Sequence, residues 1–146
     1  MPELPPQRRT DLWAKLAPAV GGGQLILPRC RDCDTVQYPL RELCRACLGE
    51  NLEWAPVPDA GKLLSWTLVR ASVEPFFRAH SPWPVGRVKL DCGPIVIAHL
   101  AVETQAMGMN VRVLPYQDLG GTPVLIIVPE ASDRIISPVA ALISGP

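Results

Sequence analysis

The sequence has no net charge and no long hydrophobic run. Its 14 Lys and Arg residues balance 14 Asp and Glu residues, so the formal net charge at pH 7 is zero. Proteins that bind nucleic acids depend on surplus cations for their phosphate contacts, so this balance argues against a nucleic acid as the main partner. The longest apolar stretch, residues 94–100, has the length of a strand. A membrane-spanning helix needs about 20 apolar residues.

A secretion signal is also missing from the sequence. Residues 1–7 are proline-rich and polar, without the apolar segment of a signal peptide. Five cysteines in such a chain indicate reduced, metal-binding thiols rather than disulfides. We therefore expect a soluble, cytoplasmic protein.

Recognisable catalytic motifs are lacking as well. The sequence contains no phosphate-binding Gly-Lys-Ser/Thr loop, nucleophile elbow, His-Glu-x-x-His motif or dinucleotide fingerprint. It has only two histidines, His80 and His99. His99 lies in an apolar strand, where a packing role is expected, and no second catalytic group is recognisable beside His80. The sequence therefore predicts no catalytic residue and no independent enzyme.

Proline is abundant, and short β-branched segments follow one another along the second half of the chain. The 17 prolines disfavour long helices. Alternating polar and apolar residues between Gly, Pro, Asn and Asp predict antiparallel strands. Five such strands without intervening helices favour a small closed barrel, which leaves no exposed edge. The predicted strands are residues 62–69, 86–91, 94–102, 110–114 and 124–128.

Four regions are therefore expected along the chain. Residues 1–24 include a short helix over residues 10–16, in which Leu12, Trp13 and Leu16 share one face. Residues 25–55 contain the clustered cysteines, residues 56–130 contain the strands, and residues 131–146 form an apolar tail.

The cysteines form two Cys-x-x-Cys pairs within a short window, and Cys92 stands apart from them. Each pair can form a tight turn, called a knuckle, whose two sulfurs point at one centre, and two facing knuckles supply the four thiolates of a closed tetrahedral zinc site. Gly49 is expected to supply the flexible backbone of the second turn. Two disulfides, free thiols or a rubredoxin-like iron centre are the alternatives. The predicted ligands of one structural zinc ion are Cys30, Cys33, Cys44 and Cys47.

A long aromatic and proline-rich segment connects the first two predicted strands. Long loops with large apolar residues tend to carry function. The aromatic side chains could flank a ligand tail beside a cationic group, or they could close the end of the barrel. The candidate ligand- or partner-binding residues are Phe76, Phe77, Arg78, His80 and Trp83.

The C-terminal tail has an apolar stripe at helical spacing, preceded by a Ser-Pro helix start. Such a stripe must be buried somewhere. It either packs on the chain's own barrel or docks into a partner. The residues of the stripe are Ile135, Ile136, Val139, Leu142 and Ile143.

Taken in order, these segments resemble the acyl-CoA-associated, or thiolase-associated, family that joins a rubredoxin-like zinc ribbon to an OB-fold. The resemblance is carried by residues 25–33, Tyr38-Pro39-Leu40-Arg41, the second cysteine pair, Trp54, and residues 61–67, 85–90 and 107–113. One departure is Asp34, which stands where the family commonly has glycine after the second cysteine. Asp tolerates left-handed backbone better than most residues, so the turn is expected to survive.

The resemblance implies a mostly β protein with a short N-terminal helix, a four-cysteine zinc ribbon and a five-stranded OB-fold barrel. It also implies a non-catalytic accessory subunit of a thiolase-like or aldolase complex. Such a subunit stabilises its partner and helps enclose or channel a coenzyme A (CoA) thioester during Claisen-type cleavage or formation of a carbon–carbon bond. A zinc-ribbon and OB-fold module that binds nucleic acid is the alternative.

Overall fold

The computed structural model describes residues 4–7, 10–16, 20 and 23–144. These described residues form a two-stranded ribbon followed by a five-stranded barrel, together with three short helical segments. The elements are a 3-10 helix over Asp11–Leu16, β1 (Ile26–Cys30), β2 (Leu52–Pro56), β3 (Ala60–Val69), α1 (Pro75–Ala79), β4 (Trp83–Leu90), β5 (Ile95–Leu100), β6 (Asn110–Gln117), β7 (Pro123–Pro129) and α2 (Ala140–Ser144).

The barrel closes in the order β3-β4-β5-β7-β6, and β6 pairs back with β3. This confirms the five predicted strands and the barrel. The expectation of a wholly antiparallel sheet is wrong at one place, because β5 and β7 pair in parallel. The chain passes through β6 before it reaches β7, so β7 enters the sheet in the same direction as β5.

Two helical segments differ from the sequence-based expectation. The N-terminal helix is a 3-10 helix, whose first turn closes when the N–H of Trp13 donates to the carbonyl of Thr10. The aromatic connection is shorter than predicted because β4 begins at Trp83, and α1 occupies part of it. Pro75 lies in the first turn of α1, where its missing N–H costs no hydrogen bond.

The barrel interior and the ribbon share one hydrophobic core. Leu16 from the 3-10 helix and Leu25 and Leu27 from the ribbon are fully buried against the barrel core, which includes Leu63 and Ile127. The indole N–H of Trp13 also donates to the carbonyl of Pro123 at 2.6 Å. The ribbon therefore depends on the barrel for its apolar contacts, and the barrel depends on the ribbon to cover its core.

A second apolar cluster lies on the outer side of the barrel, where α1 and the C-terminal segment cover β7. Val139 and Leu142 are fully buried there, and Ile135, Ile136 and Ile143 are partly buried. The expectation that Val139 and Leu142 dock into a partner is therefore wrong, because both side chains are already buried in the chain's own core. For these two residues the alternative holds, in which the tail packs on its own barrel.

No helix within the described part of the chain is long and apolar enough to cross a membrane.

Candidate metal centre and aromatic cluster

The two cysteine pairs form knuckles with the same backbone geometry. In the first knuckle, the carbonyl of Cys30 accepts a hydrogen bond from the N–H of Asp34 at 2.8 Å, and the N–H of Cys30 donates to the carbonyl of Thr35. In the second, Cys44 makes the same two bonds, with Leu48 at 2.8 Å and Gly49 at 2.9 Å. These bonds fold each Cys-x-x-Cys turn back on itself, so both sulfurs of a pair face the other pair.

The four sulfurs are spaced as a tetrahedral metal requires. All four Sγ atoms lie within 4.8 Å of one another, with 3.6 Å between those of Cys30 and Cys47 and 3.5 Å between those of Cys33 and Cys44. A zinc ion with Zn–S bonds of about 2.3 Å gives sulfur–sulfur edges of roughly 3.8 Å. Disulfides are excluded, because an S–S bond is about 2 Å long and all five cysteines are free. The donor set therefore fits one metal ion.

The environments of the four sulfurs differ. Hydrogen bonding from Thr35 lowers the pKa of Cys33 to about 6. At Cys47 the backbone N–H of Gly49 lowers the pKa, but the adjacent Cys30 thiol and desolvation outweigh it and raise the pKa to about 12. Protons thus leave the cluster unequally when no cation is bound, and a bound zinc ion holds all four sulfurs as thiolates.

Glycine has a different role in the second knuckle from the predicted one. The left-handed residue is Leu48, with φ 62°, and the matching residue of the first knuckle is Asp34, with φ 66°. The expected tolerance of Asp34 is confirmed, whereas the expected flexibility of Gly49 is wrong. A side chain at Gly49 would lie 3.1 Å from the carboxylate of Asp32 and 3.3 Å from the sulfur of Cys47. Gly49 therefore leaves room for the metal ligand.

Gln37 holds the second knuckle in place, a role that the sequence pattern did not indicate. Its side chain is fully buried; its amide donates to the carbonyl of Leu43 at 2.9 Å and accepts from the N–H of Arg45 at 2.8 Å. Both ends of the amide are thus satisfied beside the second cysteine pair. Its position between Val36 and Tyr38 gave no signal that distinguishes it from an exposed glutamine.

The residues of the predicted aromatic site separate into buried and accessible groups. Phe76 and Trp83 are only 2% and 3% exposed, within the outer cluster, so they are not available to flank a ligand. Phe77 stacks on His99 with ring centroids 6.0 Å apart. Arg78 is exposed, and His80 is half-buried with Nδ1 2.9 Å from the carbonyl of Phe76. Phe76 and Trp83 therefore form part of the core, whereas Phe77, Arg78 and His80 keep some access to solvent.

His99 has a structural role in this cluster. The indole N–H of Trp83 donates to His99 Nδ1 at 2.9 Å, and the two rings meet edge to face. Because Nδ1 accepts this bond, the neutral imidazole carries its proton on Nε2. This placement agrees with the packing role expected from the sequence.

Two family models match the chain in tandem. Residues 23–53 match the ChsH2 rubredoxin-like zinc ribbon domain, and residues 54–114 match the ChsH2 C-terminal OB-fold domain. A DUF35 domain-containing scaffold protein from Pyrococcus furiosus is 34% identical over 94 residues, which cover 62% of this chain and 68% of that protein. This chain belongs to the ChsH2 (DUF35) family. The resemblance noted in the sequence is thereby confirmed.

A solved structure has the same fold as this ChsH2-family chain. A chain of the Ltp2-ChsH2(DUF35) aldolase matches it with a TM-score of 0.70 over 85% of this chain and 98% of that one, at 19% identity. At this identity the match establishes the fold alone. The match to the zinc ribbon family model, together with the geometry of the four sulfurs, identifies the four-cysteine centre as a zinc site and favours zinc over iron.

The fifth cysteine of this ChsH2-family chain, Cys92, is not part of the four-sulfur centre. Cys92 is half-buried in the turn between β4 and β5. Burial, the largest influence, raises the pKa of its thiol. A protonated thiol is a poor nucleophile.

A cleft lies between the start of β4, the loop after β5 and the C-terminal segment. Its volume is about 850 Å³. Its lining includes the apolar residues Leu68, Leu100 and Val102 as well as His80 and Arg134. This ChsH2-family chain thus has an open groove in which apolar and cationic groups adjoin.

Proposed function

We propose that this chain is the non-catalytic scaffold subunit of an acyl-CoA-processing enzyme complex. Its catalytic partner is an aldolase or thiolase-like subunit that cleaves or forms a carbon–carbon bond on a CoA thioester. The observation that carries the proposal is the closed four-sulfur centre of Cys30, Cys33, Cys44 and Cys47 in a ChsH2-family chain. Four protein ligands leave a zinc ion no open position for substrate.

The placement of the histidines supports a scaffold role. His99 accepts a hydrogen bond from Trp83 inside the aromatic cluster, and His80 Nδ1 lies against the Phe76 carbonyl. Within the described residues, His80 is not hydrogen-bonded to a carboxylate or hydroxyl in the way a general base is oriented, and Nδ1 of His99 is engaged by the Trp83 indole. We accordingly place the chemical step on the partner.

The relatives indicate the class of partner. The Pyrococcus furiosus relative is a scaffold protein, and the solved structure with the same fold is an aldolase in which Ltp2 accompanies the ChsH2 chain. We extend this arrangement to the present chain. A thiolase-like subunit remains the other candidate, because both classes act on the carbon–carbon bond of an acyl-CoA.

The cleft beside Arg134 is the place where this chain would help enclose the thioester. Its apolar wall at Leu68, Leu100 and Val102 suits the uncharged part of a CoA thioester, and the Arg134 guanidinium suits its phosphates. Within the described part of the chain, no ion pair engages the Arg134 side chain. Glu103 also lines the cleft, so its charge is mixed.

Copurification of the tagged chain from its native cells tests the proposed function. We expect a CoA-thioester enzyme in stoichiometric yield, identified by mass spectrometry, and its loss when the bait is Cys44→Ala. A Cys92→Ala bait, which removes the one cysteine outside the four-sulfur centre, serves as the matched control. Recovery of the chain alone, or with nucleic acid, would overturn the proposal.

A further inference from the structure

The outer face of β3, β4 and β5 carries cations and no acidic residue. The three strands contain three lysine and arginine residues, Lys62, Arg87 and Lys89, and not one Asp or Glu. Burial alternates along β4 and β5, so Arg87 and Lys89 share the exposed face with Ile95 and Ile97. In a chain with zero net charge, this face is a local surplus of positive charge.

The cations on this face are not neutralised within the described part of the chain. Lys62 and Lys89 are directly opposite each other in the β3–β4 register, an arrangement of like charges that destabilises a sheet. The Lys62 ammonium donates to the amide of Asn110, and that of Lys89 donates to the carbonyl of Gly93, so both acceptors are uncharged. Arg87 has no ion pair with a described residue.

Apolar side chains lie directly beside these cations. Ile97 is opposite Arg87 and is 61% exposed, and Ile95 is opposite Lys89 and is 37% exposed. The apolar surface continues from Ile97 into a small pocket lined by Trp13 and Tyr38, which connects the face to the N-terminal helix and the ribbon. Exposed apolar groups next to unpaired cations are typical of an interaction surface.

We propose that this face docks an acidic surface of the catalytic subunit, one whose carboxylates pair with Arg87 and Lys89 while an apolar side chain covers Ile97. This proposal rests on the proposed scaffold function and identifies the surface through which the chain would bind its catalytic partner. Charge complementarity requires an anionic partner. A protein fits better than a nucleic acid, because the residues paired with Arg87 and Lys89 are aliphatic, Ile97 and Ile95, and the chain as a whole has no surplus of positive charge.

Two single substitutions, each of which introduces a carboxylate, distinguish a docking role of this face from a purely structural role. Arg87→Glu and Ile97→Asp each place a carboxylate among cations, so the free chain should keep or raise its melting temperature. Each should weaken binding to the copurified catalytic subunit at least tenfold by titration calorimetry. Arg70→Glu is the matched control: Arg70 is exposed in the loop after β3, at the end of that strand away from Lys62, and should leave the affinity unchanged.

The outcomes distinguish the face from the function. If a CoA-thioester enzyme copurifies but Arg87→Glu and Ile97→Asp bind it as tightly as the unmodified chain, the docking face is wrong and the proposed function stands. If no such enzyme copurifies, both fail together. Salt-dependent binding of a thymidine oligonucleotide that Arg87→Glu abolishes, or a dimer of this chain that Ile97→Asp dissociates, would reassign the face and overturn the proposal.

Discussion

Asp34 and Leu48 occupy equivalent positions in the two knuckles of the zinc ribbon. Each lies four residues after the first cysteine of its pair, donates its N–H to that cysteine's carbonyl, and has left-handed backbone with φ of 66° and 62°. Asp tolerates this conformation, whereas leucine is strained in it. At this position the second knuckle therefore has a strained residue, Leu48, whereas the first has Asp34, which tolerates the left-handed conformation.

Replacement of Leu48 by glycine should stabilise the protein. Leu48 is 73% exposed, so little packing is lost, and relief of its left-handed strain should contribute about 1 kcal/mol to the free energy of unfolding. Urea unfolding of the zinc-loaded protein measures the change. Leu43→Gly is the control, because Leu43 is exposed without a positive φ and glycine there should destabilise. A Leu48→Gly variant that is less stable than the unmodified chain would show that φ strain is not the governing effect.

Removal of the metal should unfold the ribbon. Structural zinc contributes on the order of 10 kcal/mol to the folding of small domains, and the loss of order at Leu25 and Leu27 should expose the barrel core they cover. We expect one zinc per chain by elemental analysis, and loss of protection from hydrogen exchange in β1 and β2 after chelation. Unchanged protection in metal-free protein would contradict a structural role for the site.

Acid should release the metal, and the direction follows from the thiols. Zinc binds thiolates, so protons compete with it as the pH falls. Without zinc, the pKa of Cys33 is lowered from 9.0 to about 6 and that of Cys47 is raised to about 12. Zinc must therefore displace a proton from Cys47 throughout the range below pH 8, and from Cys33 as well once the pH falls through about 6. Zinc retention measured with a colorimetric chelator from pH 8 to pH 5 should therefore decline towards the acid end. Retention that is independent of pH over this range would contradict thiolate ligation.

Leu142 offers a test of where the C-terminal tail packs. It is fully buried against the outer side of the barrel, and truncation of a buried leucine costs about 2–5 kcal/mol. Leu142→Ala should lower the free energy of unfolding of the isolated chain by that amount. Ser144→Ala, next to it on the same helix but exposed, should have almost no effect. Equal stabilities would show that the tail is not packed on the barrel in solution.

Local patterns predicted the metal site and the strands better than they predicted side-chain burial. The Cys-x-x-Cys spacing determines a knuckle over a few residues, and alternation marks each strand directly. The parallel pairing of β5 and β7 depends on contacts between distant segments, which alternation does not encode. Burial of Phe76 and Trp83 likewise requires packing against the C-terminal helix, which lies about 60 residues further along the chain, and the same packing buries Leu142. The sequence pattern was compatible with either docking or self-packing of that helix.

The cleft predicts a specific kinetic effect in the assembled complex. If Arg134 pairs with phosphates of the CoA thioester, Arg134→Gln should raise KM several-fold and leave kcat unchanged, because the interaction is the same in the ground and transition states. Arg70→Gln, which removes an arginine outside the cleft lining, is the control. Equal KM values for Arg134→Gln and the unmodified complex would remove the cleft from CoA binding.

The most direct test of the scaffold role is native mass spectrometry of this chain coexpressed with its copurifying enzyme, together with the activity of each separated subunit. The account predicts a mixed complex with one zinc per copy of this chain, and turnover of the acyl-CoA that requires the partner's active site and is absent from this chain alone. Turnover by this chain alone, or separate masses for the two proteins, would contradict it.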